Sequence, residues 1–307
     1  MICTRVLAGV LLLTSYSSFM RAQEHVSEPP VNLGDTSFLD GIGGPGELAE
    51  TIGDAEHSRA IVDGAGHKVR GTGQVNSILS LTHGAWLSND RILGGWYGTE
   101  VVVAAAHVNA GPGMATGGVG DLVVSPLVLQ WPEKKLGQIA LDQRFAADFW
   151  LPVGDYSPTK SVNISSHTFL ANPNYAVTVF PLRRVESSWR VHYLWSSTNQ
   201  DPPLSANARS TQAGQAVHFN ATLSYELAMH LWVGANGYLL KQITDPKING
   251  TDVPNSPEQV GAIGPGMVWN HREWFLYLNA YHELGVENRP TGNKVVVRVQ
   301  KVFGKKR

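Results

Sequence analysis

Alternation of apolar and polar residues is the dominant pattern of this chain, and it is clear near the C-terminus. Within residues 273–283, one face carries Trp274, Leu276, Leu278 and Ala280, and the other carries Phe275, Tyr277, Asn279, Tyr281 and Glu283. Within residues 294–303, one face carries Val295, Val297, Val299 and Phe303, and the other carries Arg298 and Gln300. Because side chains alternate across a strand, these stretches predict a β-hairpin with one apolar face. Each arm runs for about ten residues, the length of a tilted strand that crosses a bilayer.

The same alternation recurs along the chain and predicts ten further strands. They are residues 47–57, 73–86, 98–108, 120–131, 139–151, 166–180, 189–196, 218–227, 230–240 and 260–269. The first is weakly patterned, although we expect the last strand of the chain to pair with it and remove the sheet edges. Pro126 interrupts the fourth, where a β-bulge would accommodate a residue that cannot donate to the ladder.

The lengths of the predicted links carry a second signal. Links are short between strands four and five, six and seven, eight and nine, and ten and eleven, whereas 59–71, 152–165, 197–214 and 244–258 are longer. The two links that flank the third strand are similar in length and do not discriminate. Alternation of tight turns with long loops, together with an even strand number, is typical of outer-membrane barrels.

These patterns predict an all-β fold over residues 47–303, namely a transmembrane, antiparallel, up-and-down β-barrel of about 12 strands of the outer-membrane type. Only a closed sheet satisfies its backbone polar groups in lipid. Twelve strands lie between the eight that side chains nearly fill and the sixteen that leave a wide aqueous channel. We therefore expect a lumen that fits one small or elongated solute.

The N-terminus contains two segments outside the predicted barrel. Residues 1–22 are typical of a secretory signal peptide, with a short apolar core and a predicted cleavage site after Ala22. Residues 23–46 are irregular and glycine-rich, and we interpret them as a lead-in to the first strand or as a plug in the lumen. Three glycines within 41–46 match the dinucleotide motif GxGxxG, but no strand precedes them and Pro45 removes a backbone donor.

Composition agrees with a barrel in the outer membrane of a Gram-negative bacterium. Charged residues make up 16% of the chain, whereas about a quarter is usual for soluble domains, and there are 32 glycines and 9 tryptophans. The net charge of −1 gives no electrostatic case for binding nucleic acid. The single cysteine is Cys3, so a chain that loses its signal peptide has no disulfide, thiolate metal site or cysteine nucleophile.

Polar positions on the predicted strands define candidate residues along a solute path. They are Glu100, Asp142, Arg144, Asp148, Arg190, His192, His218, Glu226, Tyr277, Tyr281, Glu283 and Arg298. One interpretation is a hydrated barrel interior whose charges pair with one another. The other is a selectivity zone, in which opposed charges set a field and aromatic rings offer stacking surfaces. Neither interpretation requires a cofactor or a metal.

A hydrolase embedded in a barrel is the main enzymatic alternative, and it needs an activated nucleophile or an acid–base pair. The candidate histidines are scattered singly, at His83, His107, His167, His192, His218, His230 and His282. The chain contains neither GxSxG nor HExxH. We therefore predict a protein that is not an enzyme.

Several motifs resemble those of the MetA-pathway phenol degradation family of outer-membrane proteins. They lie in residues 35–46, 118–122, 151–156, 174–178 and 285–293, and the last of these contains Glu287, Asn288, Arg289 and Pro290. The resemblance implies an outer-membrane β-barrel that takes up small hydrophobic or aromatic compounds. It brings no catalytic residues. We place the motif 287–290 in an outer loop over the pore mouth, with Glu287 and Arg289 as a pair.

The predicted function is thus an outer-membrane channel for small hydrophobic or aromatic compounds. A structural or adhesin barrel without transport activity remains the first alternative. The predicted partners are outer-membrane lipid and lipopolysaccharide, the barrel-assembly machinery and the solute. Barrels of this kind normally end on an aromatic residue that the assembly machinery reads, whereas here Phe303 is followed by the basic tail 304–307.

Overall fold

The structure is a computed structural model that describes residues 26–70 and 74–304. Within these residues, twelve long antiparallel strands form one closed sheet. The strands are β1 (Gly46–Ile61), β2 (Val75–Ile92), β3 (Gly95–Asn109), β4 (Leu122–Leu136), β5 (Ile139–Leu151), β6 (Leu170–Leu182), β7 (Val185–Ser196), β8 (Ala216–Ala228), β9 (Leu231–Gln242), β10 (Gln259–His271), β11 (Trp274–Glu287) and β12 (Pro290–Phe303). The predicted signal peptide and the end of the basic tail lie outside the described residues.

Pairing of β1 with β12 closes the barrel, as the sequence predicts. The register runs from Glu47 opposite Phe303 to Ile61 opposite Pro290. On its other side β1 pairs with β2, from Gly46 opposite Leu87 onwards. Each long strand therefore has two neighbours, and no open edge remains to template aggregation. A shift in register between Val124 and Leu127 confirms the predicted irregularity around Pro126.

Link length divides the barrel into two ends. Two-residue turns at one end join β2 to β3, β4 to β5, β6 to β7, β8 to β9 and β10 to β11. The other end carries the links 62–74, 110–121, 152–169, 197–215 and 243–258. In outer-membrane barrels the short turns face the periplasm, so we name these ends inner and outer. Parts of two outer links form a small sheet, in which Lys247–Ile248 pairs with Thr211–Gln212 and Thr251–Asp252.

The expectation that the two links beside the third strand are similar is wrong. Strand β2 continues to Ile92, so that only Leu93 and Gly94 separate it from β3. These two residues have φ values of 51° and 80°. Positive φ at both central residues is the requirement of a tight type I′ hairpin turn, whose twist matches that of the flanking strands. The length alternation therefore extends to this part of the barrel.

The closing hairpin also differs from expectation, because its tip is a tight turn. Strand β11 reaches Glu287 and β12 begins at Pro290, which leaves only Asn288 and Arg289 between them. The expected pair of Glu287 with Arg289 is wrong as well. Arg289 Nη1 lies 3.5 Å from Glu258 Oε2, a residue of the link before β10. The motif thus fastens the hairpin tip to a neighbouring outer link.

The outer surface of the barrel is apolar in the way that the alternation predicts. Leu223 on β8 is 58% exposed, whereas its neighbour Thr222 is buried inside. Exposed tryptophans lie near the inner ends of several strands, at Trp86, Trp189, Trp269 and Trp274. Such a girdle marks the level of the membrane–water interface. No helix in the described part of the chain is long and apolar enough to span a membrane.

Candidate functional site

Residues 26–45, which we call the N-terminal segment, lie inside the barrel. Backbone amides of this segment donate hydrogen bonds to side chains of the barrel wall: Gly34 N to Asn220 Oδ1 at 2.9 Å, Leu39 N to Glu186 Oε1 at 3.0 Å and Gly41 N to Thr178 Oγ1 at 2.8 Å. The acceptors lie on β6, β7 and β8. Irregular backbone is tolerated at membrane depth only when it is satisfied in this way.

Charged and aromatic side chains hold the same segment in place. Asp40 accepts two hydrogen bonds from Arg190, at 2.6 Å from Nε and 2.9 Å from Nη2. Nearer the outer end, Lys294 Nζ lies 3.0 Å from Asp35 Oδ1. Phe38 is fully buried and packs with Val268 and Tyr277. The segment therefore has both ionic and apolar anchors.

A close approach of backbone to wall explains one glycine of the segment. Gly34 has a φ of 83°, and a Cβ atom built there would lie 2.6 Å from the ring of Tyr281. The hydroxyl of Tyr281 donates a hydrogen bond to the Gly34 carbonyl at 2.8 Å. Any larger residue at position 34 would strain the backbone and displace this ring.

A cavity of about 990 Å³ remains beside the segment, chiefly against β1–β5. Its apolar lining includes Ile52, Leu79, Leu81, Val102, Ala104 and Ala106. The lining reaches Glu258 and Arg289 at the outer end and Arg272 and Gly304 at the inner end. Ligand sites in proteins are typically cavities of about 300–1,000 Å³ that are mostly apolar with a few polar groups. The size and lining therefore suit a small apolar solute.

Five charged or titratable side chains form a row along the cavity wall, and we call them the ion-pair belt. They are Arg298 on β12, Glu50 on β1, His83 on β2, Glu100 on β3 and Arg144 on β5. Glu50 lies 3.6 Å from Arg298 Nε and 3.2 Å from His83 Nδ1. Glu100 lies 3.7 Å from His83 Nε2 and pairs with Arg144. The guanidinium of Arg298 also lies 3.6 Å from the centroid of the Tyr277 ring. The belt is therefore a continuous row of contacts, in which the His83 ring lies between two carboxylates that each pair with an arginine.

The structure brings most of the sequence candidates to the cavity. Its lining includes Glu100, Arg144, Asp148, Arg190, His192, Tyr277, Glu283, Arg298, Arg289 and Pro290. Among the other candidates, Tyr281 holds the N-terminal segment and His218 stacks on His192 at 4.1 Å between ring centroids. Asp142 is buried away from the cavity lining. Glu226 lies at the inner rim, where Oε1 accepts a 3.4 Å hydrogen bond from His230 N.

Sequence reasoning missed the residues that complete the ion pairs. Glu50, Asp40, Asp35 and Lys294 are all buried or paired inside the barrel. Glu50 lies on the inner face of β1, between the apolar residues Leu48 and Ile52 of the same face. The inner face of β1 is therefore part apolar and part charged, which is why the strand looked weakly patterned. Strict alternation would have placed Glu50 on the inner face of β1 and Lys294 on that of β12. Asp35 and Asp40 lie in the irregular N-terminal segment, where no such signal exists.

The described residues show neither a metal-binding cluster nor a hydrolytic constellation. No group of three or more His, Cys, Asp or Glu among them is placed to hold a metal ion. Several serine hydroxyls donate hydrogen bonds to carboxylates, and at Asp121 the donors are Ser165 and Ser166. The nearby ring of His167 stacks on Tyr156 instead, with centroids 4.3 Å apart. A general base oriented on either serine is thus not formed there.

The closed twelve-stranded sheet, its apolar outer face and its tryptophan girdle define an outer-membrane β-barrel protein. The chain belongs to the family described as the putative MetA-pathway of phenol degradation, whose family model matches residues 58–299. This result confirms the resemblance seen in the sequence. No match was found among curated proteins.

Several solved structures are similar to this chain. The COG4313 outer membrane channel from Pseudomonas putida F1 is 15% identical, with a TM-score of 0.74, and the match covers 89% of this chain and 100% of that one. The β domain of the Bordetella autotransporter BrkA is 10% identical, with a TM-score of 0.49, and the match covers 85% of this chain and 100% of that one. The first likeness supports the barrel architecture, and with the family match it places the protein in the outer membrane.

Proposed function

We propose that the protein is an outer-membrane channel through which small hydrophobic or aromatic compounds enter the cell. The observation that carries this proposal is the cavity of about 990 Å³, whose lining extends from the outer to the inner end of the barrel. Family membership supports it, because the family is described in terms of phenol degradation. The similar structure from Pseudomonas putida is itself titled an outer membrane channel.

The N-terminal segment has the role of an internal wall in this proposal. It is hydrogen-bonded to β6–β8 and ion-paired to β7 and β12, whereas the apolar cavity faces β1–β5. A solute would therefore move between the segment and the inner faces of β1–β5. The segment narrows a lumen that would otherwise be wider, so it acts as a partial plug.

An enzymatic role has weaker support. The acid–serine contact of Asp121 lies in the outer part of the barrel, and the ring of His167 is occupied by stacking on Tyr156. The similar solved structure from Pseudomonas putida F1 is described as an outer membrane channel. We therefore propose that the protein is not an enzyme. Within this view the residues of the ion-pair belt tune passage of the solute rather than react with it.

Uptake of a fluorescent aromatic compound tests the proposed function. Purified protein would be reconstituted in vesicles whose outer leaflet contains lipopolysaccharide, because phospholipid alone passes apolar solutes too readily. We expect 1-naphthol to enter protein-containing vesicles faster than empty vesicles, with a rate that saturates. Equal rates in the two preparations would overturn the proposal. A folded-barrel band that shifts on heating in a denaturing gel would confirm correct reconstitution.

A further inference from the structure

The charged side chains along the cavity restrict the class of solute more narrowly than its apolar lining does. Within residues 26–70 and 74–304, five cationic side chains line the cavity above its inner mouth, and each already has a carboxylate partner. Arg144 pairs with Glu100, Arg190 with Asp40, Arg298 with Glu50, Arg289 with Glu258, and Lys294 with both Asp35 and Asp54. Arg272 lines only the inner mouth, in the turn before β11.

Further carboxyl groups line the same cavity and are bound by neutral donors. Asp148 accepts hydrogen bonds from Ser125 at 2.6 Å and from Asn174 at 2.8 Å. Glu283 accepts from the Tyr238 hydroxyl at 3.0 Å and from Gly292 N at 2.8 Å. Asp121 is held by Ser165 and Ser166. Carboxyl groups thus outnumber cations along the path.

The outer mouth shows the same imbalance. Glu56, Glu258 and Glu283 line it together with a single guanidinium, that of Arg289. Glu56 accepts a hydrogen bond from Ser58 at 3.0 Å. Glu28 also lines the mouth, where it accepts a hydrogen bond from Gln242, but burial raises its pKa to about 8, so it adds no charge at neutral pH. A cleft lined mainly by one sign of charge focuses the field and repels ions of that sign.

We infer that the channel selects neutral aromatic compounds and excludes their carboxylates. This inference rests on the proposed channel function and narrows its solute class. An anion that enters the cavity loses hydration, and each cation it meets above the inner mouth is already bound to a carboxylate. A neutral ring carries no such penalty, and it gains contact with Ile52, Leu81 and Val102 on the cavity wall. Rings of fixed charge set ion selectivity in other pores by the same physics.

A pair of solutes with the same ring system tests the inference. In the lipopolysaccharide vesicles described above, 1-naphthol and 1-naphthoate would be compared at neutral pH. We expect the protein-dependent uptake rate of the naphthol to exceed that of the naphthoate by about tenfold or more, a ratio that corresponds to about 1.4 kcal/mol. Equal rates would overturn the inference and leave the channel function standing. Protein-dependent uptake of neither solute would overturn the channel function, and the inference with it.

A variant in which one arginine loses its carboxylate partner tests the inference independently. Glu100→Gln removes the carboxylate partner of Arg144, so we expect naphthoate uptake to rise several-fold. The matched control is Glu133→Gln, the same change at an exposed carboxylate near the inner end of β4. Unchanged naphthoate uptake in folded Glu100→Gln would count against the inference.

The reversal potential of the wild-type protein under a potassium chloride gradient needs no variant. It should indicate cation preference, and anion preference would overturn the inference.

Discussion

Phe38 is the largest fully buried side chain of the N-terminal segment. Its ring packs against Val268 of β10 and Tyr277 of β11. Removal of a buried phenylalanine ring typically costs about 3–5 kcal/mol. Loss of that energy weakens the apolar anchor of the segment, so Phe38→Ala should release part of the segment from the wall.

We expect Phe38→Ala to increase single-channel conductance several-fold in planar bilayers, because the segment would no longer narrow the lumen. Val26→Ala is the control, since Val26 belongs to the same segment but is only partly buried and does not line the cavity. Its conductance should match that of the wild-type protein. If the two variants conduct equally, Phe38 does not anchor the segment.

At the scale of a single strand, the alternating side chains of β8 face lipid and lumen in turn. Leu223 points to lipid and Thr222 points inward, where its hydroxyl lies near Glu186 and Ser188. An arginine that faces lipid at the bilayer midplane costs about 2–4 kcal/mol. Leu223→Arg should therefore impair insertion, whereas Thr222→Arg should insert and disturb the docking of the N-terminal segment. Heat-dependent mobility in a denaturing gel reports insertion, and equal assembly of the two variants would show that the face assignment is wrong.

Strand positions and faces could be read from the sequence because a barrel wall imposes a period of two on every strand. The faces of β8, β11 and β12 are as predicted. The ends of strands were less predictable, since β2 extends beyond Trp86 and β11 beyond Glu283. A tight turn needs only two suitable residues, which sequence alone does not distinguish from a longer loop.

The docking of the N-terminal segment lay beyond the reach of the pattern. Its residues 26–45 have no period, because an irregular backbone meets side chains of distant strands one at a time. Asp40 and Arg190, for example, are 150 positions apart in the chain. The sequence indicated a lead-in or a plug, and only the hydrogen bonds to β6–β8 locate it inside the barrel. Because the segment covers the inner faces of β6–β8, the cavity is left chiefly against β1–β5.

At the scale of the whole molecule, the outer mouth contains a group that responds to pH. Burial raises the pKa of Glu28 from its ordinary 4.5 to about 8. The hydrogen bond from Gln242 opposes this rise in pKa, and repulsion from Glu258 adds to it. The docked segment thus holds a proton that a released Glu28 would lose at neutral pH. The stability that this proton adds to docking is fully present below pH 4.5 and is lost as the pH rises through about 8.

We therefore expect docking of the start of the segment to weaken progressively between about pH 4.5 and about pH 8. A cysteine placed by Val31→Cys, at a side chain that packs against the buried cluster of the barrel, should react with a membrane-impermeant probe faster, relative to a free thiol, at pH 9 than at pH 6.5. Adding Glu28→Gln should remove this pH dependence, because glutamine does not titrate in this range. An accessibility that changes equally in both backgrounds would contradict the account.

The central claim is that solute passes through the cavity between the N-terminal segment and β1–β5. Two neighbouring alanines on β3 allow a matched test, since Ala106 lines the cavity and Ala105 is exposed on the opposite face. We would measure 1-naphthol uptake into lipopolysaccharide vesicles for Ala106→Trp and Ala105→Trp, each checked for a folded barrel. The account predicts that a tryptophan at position 106 abolishes most protein-dependent uptake and that one at position 105 leaves it unchanged. Uptake that survives in Ala106→Trp at the wild-type rate would contradict this path.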